Sequence, residues 1–239
     1  MHRFFINSIH ENTVQIQGGV AQQIKNVLRM KPGDQIITLD NAGHEYLVEL
    51  TSVESRDVIG IVLEKRLSAQ ELSVAVTLYQ GMLKRDNFEW ILQKGTELGI
   101  HQFVPILTQR VVAKPEFGKK QERWERILTE AAEQSHRSHI PLLSETLTFT
   151  QAVMQAAQHD LALIPWEETD PAHHLRAVLD RPAPPTRVAV FIGPEGGFDP
   201  VEVEQAQAHG IIPVSLGKLI LRAETAAIHV ASVFNHLYG

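Results

Sequence analysis

The chain has no cysteine. That absence excludes disulfide scaffolds, thiolate zinc sites, iron–sulfur clusters and thiol nucleophiles, so any chemistry must use other groups. Long apolar runs are missing too: no stretch of the 239 residues approaches the roughly 18 to 20 needed to span a bilayer. Met1-His2-Arg3, followed by mixed sequence, lacks the apolar core of a signal peptide. The expectation is a soluble, cytoplasmic protein with no membrane partner. Positive charge is scarce, with 22 Lys+Arg against 28 Asp+Glu and a net charge of −6, so bulk charge does not point to nucleic acid. Only residues 73–140 are net basic, ten against eight, and an anionic partner would be met there and by selected residues elsewhere. What remains is ordinary: 44% hydrophobic and 21% charged residues exclude a disordered chain, and the length fits one large domain or two modest ones.

The pattern changes once along the chain. Short strands are expected at 14–16, 35–39, 45–53 and 58–63, separated by the turn signals Lys31-Pro32-Gly33-Asp34 and Asp40-Asn41-Ala42-Gly43. Their close spacing, with one helix over 22–30, predicts a small β-barrel. From residue 74, β-branched runs at 74–79, 103–106, 161–164, 188–192 and 211–214 alternate with helical patterns, which predicts a mostly parallel sheet covered by helices. The domain boundary therefore falls near 70–73. Pro-rich residues 181–186 read as an exposed connector.

The most informative stretch is the apolar run 188–192 leading into Gly193-Pro194-Glu195-Gly196-Gly197-Phe198-Asp199-Pro200. Asp199 is a good N-cap, Pro200 suits the first helical position, Glu202 completes a capping box, and Gly210 follows the helix. Ligands of open α/β sheets bind beyond the carboxyl ends of strands, where glycines let them approach the backbone. The spacing matches neither G-x-G-x-x-G nor G-x-x-x-x-G-K-[ST], which disfavours a dinucleotide fold or a P-loop; a tight turn is the plain alternative. A second junction runs from Val214-Ser215-Leu216-Gly217-Lys218-Leu219 to Ile220-Leu221-Arg222-Ala223-Glu224-Thr225-Ala226. There Arg222 and Glu224 interrupt an apolar stretch before a helix reaching about Leu237, either as functional groups or as a surface pair. That helix is apolar on more than one side, as at a subunit interface.

Two middle helices carry polar groups. Over 87–99, Gln93 and Glu97 are four apart and within reach of each other. Over 121–138 the core stripe Trp124, Ile127, Leu128, Ala131 turns polar at Gln134 and Ser135, either because the helix leaves the core or because it borders a polar pocket. His136 with His139, or His173 with His174, lack a third ligand at a recognisable spacing, so no metal site is expected. No G-x-S-x-G elbow supports a hydrolase.

Four motifs stand in order: Gln93-Lys94-Gly95-Thr96-Glu97-Leu98-Gly99, Glu130-Ala131-Ala132-Glu133-Gln134-Ser135-His136-Arg137, Ile192 through Phe198, and Leu216-Gly217 with Ile220 through Ala226. Together they resemble the RsmE family, the bacterial 16S rRNA uracil-N3 methyltransferases of the SPOUT superfamily. Val27-Leu28-Arg29 and Gly33-Asp34 extend the resemblance over nearly the whole chain. The chain departs from the family pattern at Gln22 and Gln23, where His is frequent, and at Lys218-Leu219, where Pro-Arg is usual.

The resemblance implies an α/β protein with a PUA-like, RNA-binding β-barrel over 1–72. A SPOUT domain over 73–239 would follow, its C-terminal part threaded as a trefoil knot. It further implies a homodimer and S-adenosylmethionine held by the loops after Ile164, Ile192 and Val214. Cofactor contacts would come from Ile164, Pro165, Ile192, Gly193, Pro194, Glu195, Gly196, Gly197, Ser215, Leu216, Gly217, Ile220, Leu221, Arg222 and Ala226. The expected reaction is methylation of N3 of a specific uridine in 16S rRNA of the small ribosomal subunit. Uracil N3 carries a proton near neutral pH, and its loss builds charge on the flanking carbonyl oxygens. Arg222 would supply the balancing cation or orient the base, with Glu224 or Glu195 assisting proton removal or fixing Arg222. Glu97, Glu195 and Glu224 stand as alternatives for the base. Arg3, Arg29, Lys94, Arg110 and Arg137 are the candidates for rRNA contact.

Three other readings compete. A SPOUT enzyme of another rRNA or tRNA nucleotide shares every motif. A non-catalytic rRNA-binding assembly factor would not need the intact loops. A nucleotide-binding oxidoreductase needs a glycine fingerprint where the chain reads Gln80-Gly81-Met82-Leu83-Lys84.

Overall fold

The computed structural model describes residues 1–6, 9–10, 12–68, 71–84, 86–111 and 117–239. By contacts the chain divides into two units, Met1–Glu71 with Ala132–Ile140, and Leu72–Ala131 with Pro141–Gly239. Residues 132–140, which the sequence reading assigned to the second domain, thus belong to the first unit.

The first unit carries β1 (Arg3–Phe5), β2 (Ile9–His10), β3 (Thr13–Gln17), β4 (Gln35–Leu39), β5 (His44–Val53) and β6 (Asp57–Leu67). They pair in the order β1-β4-β5-β6-β3-β2, antiparallel except for β1 beside β4. Register shifts at Leu47/Val48 and Leu50/Ser52 mark irregularities of the kind that bend and coil a ladder. The result is a curled sheet whose strand path is open among the described residues, where the sequence reading expected a barrel. Phe4, Val14, Ile16, Ile36, Val48, Leu50 and Val58 fill its concave side, and Ala21 and Ile24 reach it from a short helix. That helix, α1 (Gly18–Gln22), continues as a π-helix over Gln23–Val27, so it begins and ends earlier than the expected 22–30.

The second unit is a seven-stranded, wholly parallel sheet: β7 (Ala75–Gly81), β8 (Gln102–Leu107), β9 (Leu142–Leu143), β10 (Leu147–Thr148), β11 (Leu161–Pro165), β12 (Arg187–Ile192) and β13 (Ile212–Val214). Its order is β10-β8-β7-β12-β11-β13, with β9 also on β8. Helices α2 (Asn87–Glu97), α3 (Phe117–Gln134), α4 (Phe149–Ala156), α5 (Leu175–Leu179), α6 (Pro200–Ala208) and α7 (Ala223–Tyr238) connect or follow the strands. The central strands are near-continuous apolar runs because helices cover both faces. Tyr79 of β7 stacks on Phe191 of β12 at 4.6 Å, and Phe149 and Phe198 pack against this pair. Each large apolar side chain buried there contributes about 1.5–3 kcal/mol.

Two features of this topology prepare a site. β12 follows β11 in the chain yet lies between β11 and β7, and all three strands run the same way. Their carboxyl ends, with that of β13, therefore open on the same side of the sheet. In addition, α7 packs against α2 and β12, which sets the start of α7 beside those carboxyl ends.

Candidate active site

The loop after β12 is shaped by glycines. Gly197 has φ +66°, a left-handed conformation that costs glycine little, and its N–H donates to the Pro194 carbonyl at 2.9 Å. The predicted capping box closes α6: the Asp199 carboxylate accepts from the Val201 N–H at 3.2 Å, and Glu202 accepts from the Asp199 N–H at 3.0 Å. Buried Glu202 also accepts from the Gln109 N–H at 2.8 Å, so one carboxylate ties the loop after β8 to this helix start.

β7 braces the same loop from beneath. Buried Gln80 donates through Nε2 to the carbonyls of Gly81 at 3.0 Å and Gly193 at 3.4 Å. A Cβ on Gly81 would stand 2.6 Å from the Pro194 nitrogen and 2.9 Å from the Gly193 carbonyl carbon; only glycine admits this backbone approach. Arg110 grips the outer side, donating to the Gly196 carbonyl at 3.2 Å and to Asp199 Oδ2 at 3.3 Å. Glu195 accepts from the Lys84 N–H at 2.9 Å.

The loop after β13 is tied to the one after β11. Trp166 N–H donates to the Val214 carbonyl at 3.1 Å, Ser215 N–H to the His173 carbonyl at 2.9 Å, and Leu175 N–H to the Ser215 carbonyl at 3.0 Å. The Ser215 hydroxyl accepts from the Gly217 N–H at 3.2 Å.

These loops enclose two adjoining cavities. The larger, about 490 Å³, is lined by Pro165, Glu167, the 192–198 loop, Ile220–Glu224, Ala226 and Asn87. The smaller, about 150 Å³, is lined by Pro165–Glu167, Ser215–Leu221 and Ala226. All but one of the residues expected to hold the cofactor line one or both. The exception is Ile164, fully buried in the core beneath. Sequence reasoning missed Glu167 and Asn87, since a polar residue after a strand or at a helix start carries no pattern that separates it from ordinary surface. A conjoined pocket with apolar walls, backbone groups from glycine loops and a few charges at its mouth suits a nucleoside carrying a charged tail.

Arg222 is exposed and Glu224 half-buried, and both line the larger cavity. They form no ion pair with each other, and neither side chain has a hydrogen-bond partner among the described residues. The surface-pair alternative is thus not realised. Glu97 lies outside both cavities, bonded to Lys94 Nζ at 2.8 Å.

The five basic candidates divide. Arg29 is exposed, Arg110 is exposed beside the glycine loop, and Lys94 is half-buried with Glu97. Arg3 and Arg137 are corrected to structural roles. The Arg3 side chain is 7% exposed and paired with Glu45, which Arg66 also grips. Burial pushes the Glu45 carboxyl up, but these hydrogen bonds outweigh it and hold it below the usual range. The Arg137 side chain is 5% exposed and paired with Glu71 at 2.6 Å. A buried guanidinium committed to a carboxylate has little left for a phosphate. The polar end of α3 follows the helix leaving the core: Gln134 is exposed, and His136 adopts φ +62°. Among the described residues no group of three potential metal ligands occurs, and no helix is long and apolar enough to cross a membrane.

Comparison with known proteins fits this anatomy. Residues 70–235 match the family model of an RNA methyltransferase domain, and residues 24–63 that of an RNA methyltransferase PUA domain. A ribosomal RNA small subunit methyltransferase E of Bacillus subtilis is 36% identical across 99% of this chain and 96% of its own. A ribosomal RNA small subunit methyltransferase E of Neisseria gonorrhoeae, solved bound to S-adenosyl methionine, superposes with a TM-score of 0.91 at 28% identity, covering 100% and 98% of the two chains. A putative methyltransferase of Legionella pneumophila in complex with the same cofactor gives 0.89 at 30% identity, covering 98% and 96%. The curled sheet, the parallel sheet with its glycine-loop cavity and these matches together establish that the chain belongs to the RNA methyltransferases, in the family of ribosomal RNA small subunit methyltransferase E.

Proposed function

We propose that the chain methylates N3 of a specific uridine in small-subunit ribosomal RNA, using S-adenosylmethionine. One observation carries this reading: three strand ends of one parallel sheet deliver backbone-rich loops, with Arg222 and Glu224, to a conjoined cavity. The Neisseria and Legionella relatives bind this cofactor. Gly193, Gly196 and Gly197 leave room against the loop backbone, and Ile192, Ile220, Leu221 and Ala226 offer an apolar wall for a purine. Bound there, the sulfonium supplies an electrophilic methyl group.

The chain's own residues then have separable tasks. The loops after β11, β12 and β13 bind and orient by backbone contacts. Arg222, free of an intramolecular carboxylate among the described residues, orients the uracil and offsets the charge that gathers on its carbonyl oxygens. Glu224, in the first turn of α7, takes the N3 proton. Glu195, with one oxygen committed to the Lys84 N–H, steadies the loop. Glu97, bonded to Lys94, leaves the list of bases. Arg29, Lys94 and Arg110 remain as contacts to the rRNA backbone.

Three wider assignments belong to the same proposal. The domain organisation is an RNA-binding PUA-like domain over 1–72, with which residues 132–140 group by contacts, and a catalytic SPOUT domain over the rest of 73–239; insertion of β12 between β7 and β11 supports knotted threading of the latter. A groove lined by Leu175 and Leu179 of α5 with Val233, His229, His236 and Leu237 of α7 supports a homodimer. Action on ribosomal RNA puts the enzyme in the cytoplasm.

The test is calorimetric titration with S-adenosylmethionine, followed by methyl transfer to small ribosomal subunits lacking the modification. Binding with transfer to one uridine N3 upholds the reading. Transfer to another nucleotide replaces the target, and absence of binding returns the chain to the non-catalytic RNA-binding class.

A further inference from the structure

Three side chains of the cavity region carry negative charge, and two have tasks already assigned. The third, Glu167, stands two residues beyond the end of β11. Its carboxylate lies against the glycine loop, with Oε1 3.4 Å and Oε2 3.7 Å from where a Cβ of Gly197 would be. It is exposed, with no hydrogen bond or ion pair to its carboxylate among the described residues. The two cavities share the wall formed by Pro165, Glu167, Ile220, Leu221 and Ala226, and among the described residues Glu167 is the one charged side chain on it.

That position has a chemical meaning. A ligand occupying both cavities passes the shared wall at its middle. In S-adenosylmethionine the middle is the sulfonium, which joins the adenosine to the amino-acid tail and bears a permanent positive charge. Demethylation leaves a neutral thioether of nearly the same shape. Shape and apolar contact therefore cannot separate the two molecules, whereas a fixed carboxylate near the sulfur can. We propose that Glu167 is the residue that reads the sulfonium charge, favouring the methylated cofactor over the spent one and so promoting product exchange. The proposal rests on the reading of these cavities as the S-adenosylmethionine site.

The choice among neighbouring acids is also physical. Glu195 already accepts an N–H bond from Lys84, and Glu224 belongs to the larger cavity alone. Glu168, next in the chain, faces a different cavity with Thr169, Asp170 and His173, and makes an internal control of equal charge.

The experiment is calorimetric titration of the full chain, Glu167→Gln and Glu168→Gln with S-adenosylmethionine and, separately, S-adenosylhomocysteine, at low and high salt. Wild type is expected to prefer the sulfonium. Glu167→Gln should lose about tenfold in S-adenosylmethionine affinity and less than about twofold for the thioether, with the preference shrinking at high salt. Glu168→Gln should leave both constants unchanged. Glu167→Asp, which keeps the charge on a shorter stem, should retain part of the preference and serves if the glutamine variant misfolds. Equal loss for both ligands, or none for either, overturns the proposal while leaving the cofactor reading intact. Binding of neither ligand by wild type overturns both.

Discussion

The Glu71 carboxylate and the Arg137 guanidinium meet at 2.6 Å, and the same carboxylate accepts from the backbone N–H groups of Ser138 and His139 at 3.1 Å each. Glu71 closes the first continuous segment of the curled-sheet unit, and Arg137 stands in the segment 132–140 that returns to it. The pair therefore fastens two distant parts of the chain into one folding unit. Removing Arg137 takes away the charge partner of Glu71, whose side chain is 27% exposed and keeps its bonds from Ser138 and His139. Arg137→Ala is expected to cost about 2 kcal/mol in urea unfolding, with Arg137→Lys intermediate because the ammonium lacks the guanidinium fork. An unchanged midpoint would return Arg137 to the list of RNA contacts.

Arg222 faces the opposite test. Because it is exposed and unpaired among the described residues, Arg222→Ala should leave stability within about 0.5 kcal/mol. Loss of a charge aimed at a developing anion typically lowers turnover by about a hundredfold. Thermal melting and single-turnover methyl transfer read the two effects separately; full transfer by this variant removes the assignment.

Gly81→Ala probes the support beneath the glycine loop. A Cβ 2.6 Å from the Pro194 nitrogen meets backbone, which cannot swing aside like a side-chain tip. The loop must shift, at a cost of about 1–3 kcal/mol. Affinity for S-adenosylmethionine should fall with stability, whereas Gly118→Ala, in α3 with nothing within 4 Å, should leave affinity unchanged and lower stability not at all.

Tyr79 is fully buried with its hydroxyl unpartnered among the described residues. Burial pushes its pKa up from 10.0 to about 12. A group whose pKa is raised on folding adds stability that is complete below its unfolded value and is lost as pH climbs from about 10 through 12. Tyr79→Phe should stabilise the protein by about 1 kcal/mol at neutral pH, since a buried hydroxyl without a partner is a cost. The variant should also show a weaker decline in alkali, read as melting temperature against pH.

Asp160 works at the other end of the scale. The Thr186 hydroxyl, with the Arg187 and Thr186 N–H groups, donates to its carboxylate and draws its pKa from 3.8 to about 2. Stability from a depressed carboxylate is present above the unfolded pKa and fades as pH falls from about 4 through 2. Asp160→Asn should flatten the acid limb of the stability profile in that window, and an unaltered limb would count against the bonds.

The parallel sheet was legible because its central strands are buried on both faces and read as unbroken apolar runs. The capping box of α6 was legible because Asp199, Pro200 and Glu202 act locally. What escaped was short or non-local. β1, β2, β9 and β10 are two or three residues long, below any measurable periodicity, and α5 spans five residues; α4 opens on a Thr148/Gln151 capping box that was there to be read and was passed over. Of the site, the glycine loop, Arg222 and Glu224 were readable, since glycines and charges interrupt apolar sequence there. Glu167 was not, because an acid after a strand looks like solvent-facing surface until the fold shows which loop it lies against. Arg3 and Arg137 were misread for the mirror-image reason: their carboxylates come from 42 and 66 residues away, and a lone Arg carries no mark of burial.

The position of β12 also sets an order of events during synthesis. Its neighbours β7 and β11 precede it in the chain, so they cannot be joined into one sheet until residues 187–192 have emerged and entered between them. Every hydrogen bond of that central strand is non-local, which makes its insertion a slow step. The glycine loop follows directly and has no floor before then. The walls contributed by Ser215–Leu221 and Ala226 come later still, so a growing chain is blind to the cofactor until nearly all of it has been made, and the pocket closes only after the last strand, β13, has joined the sheet.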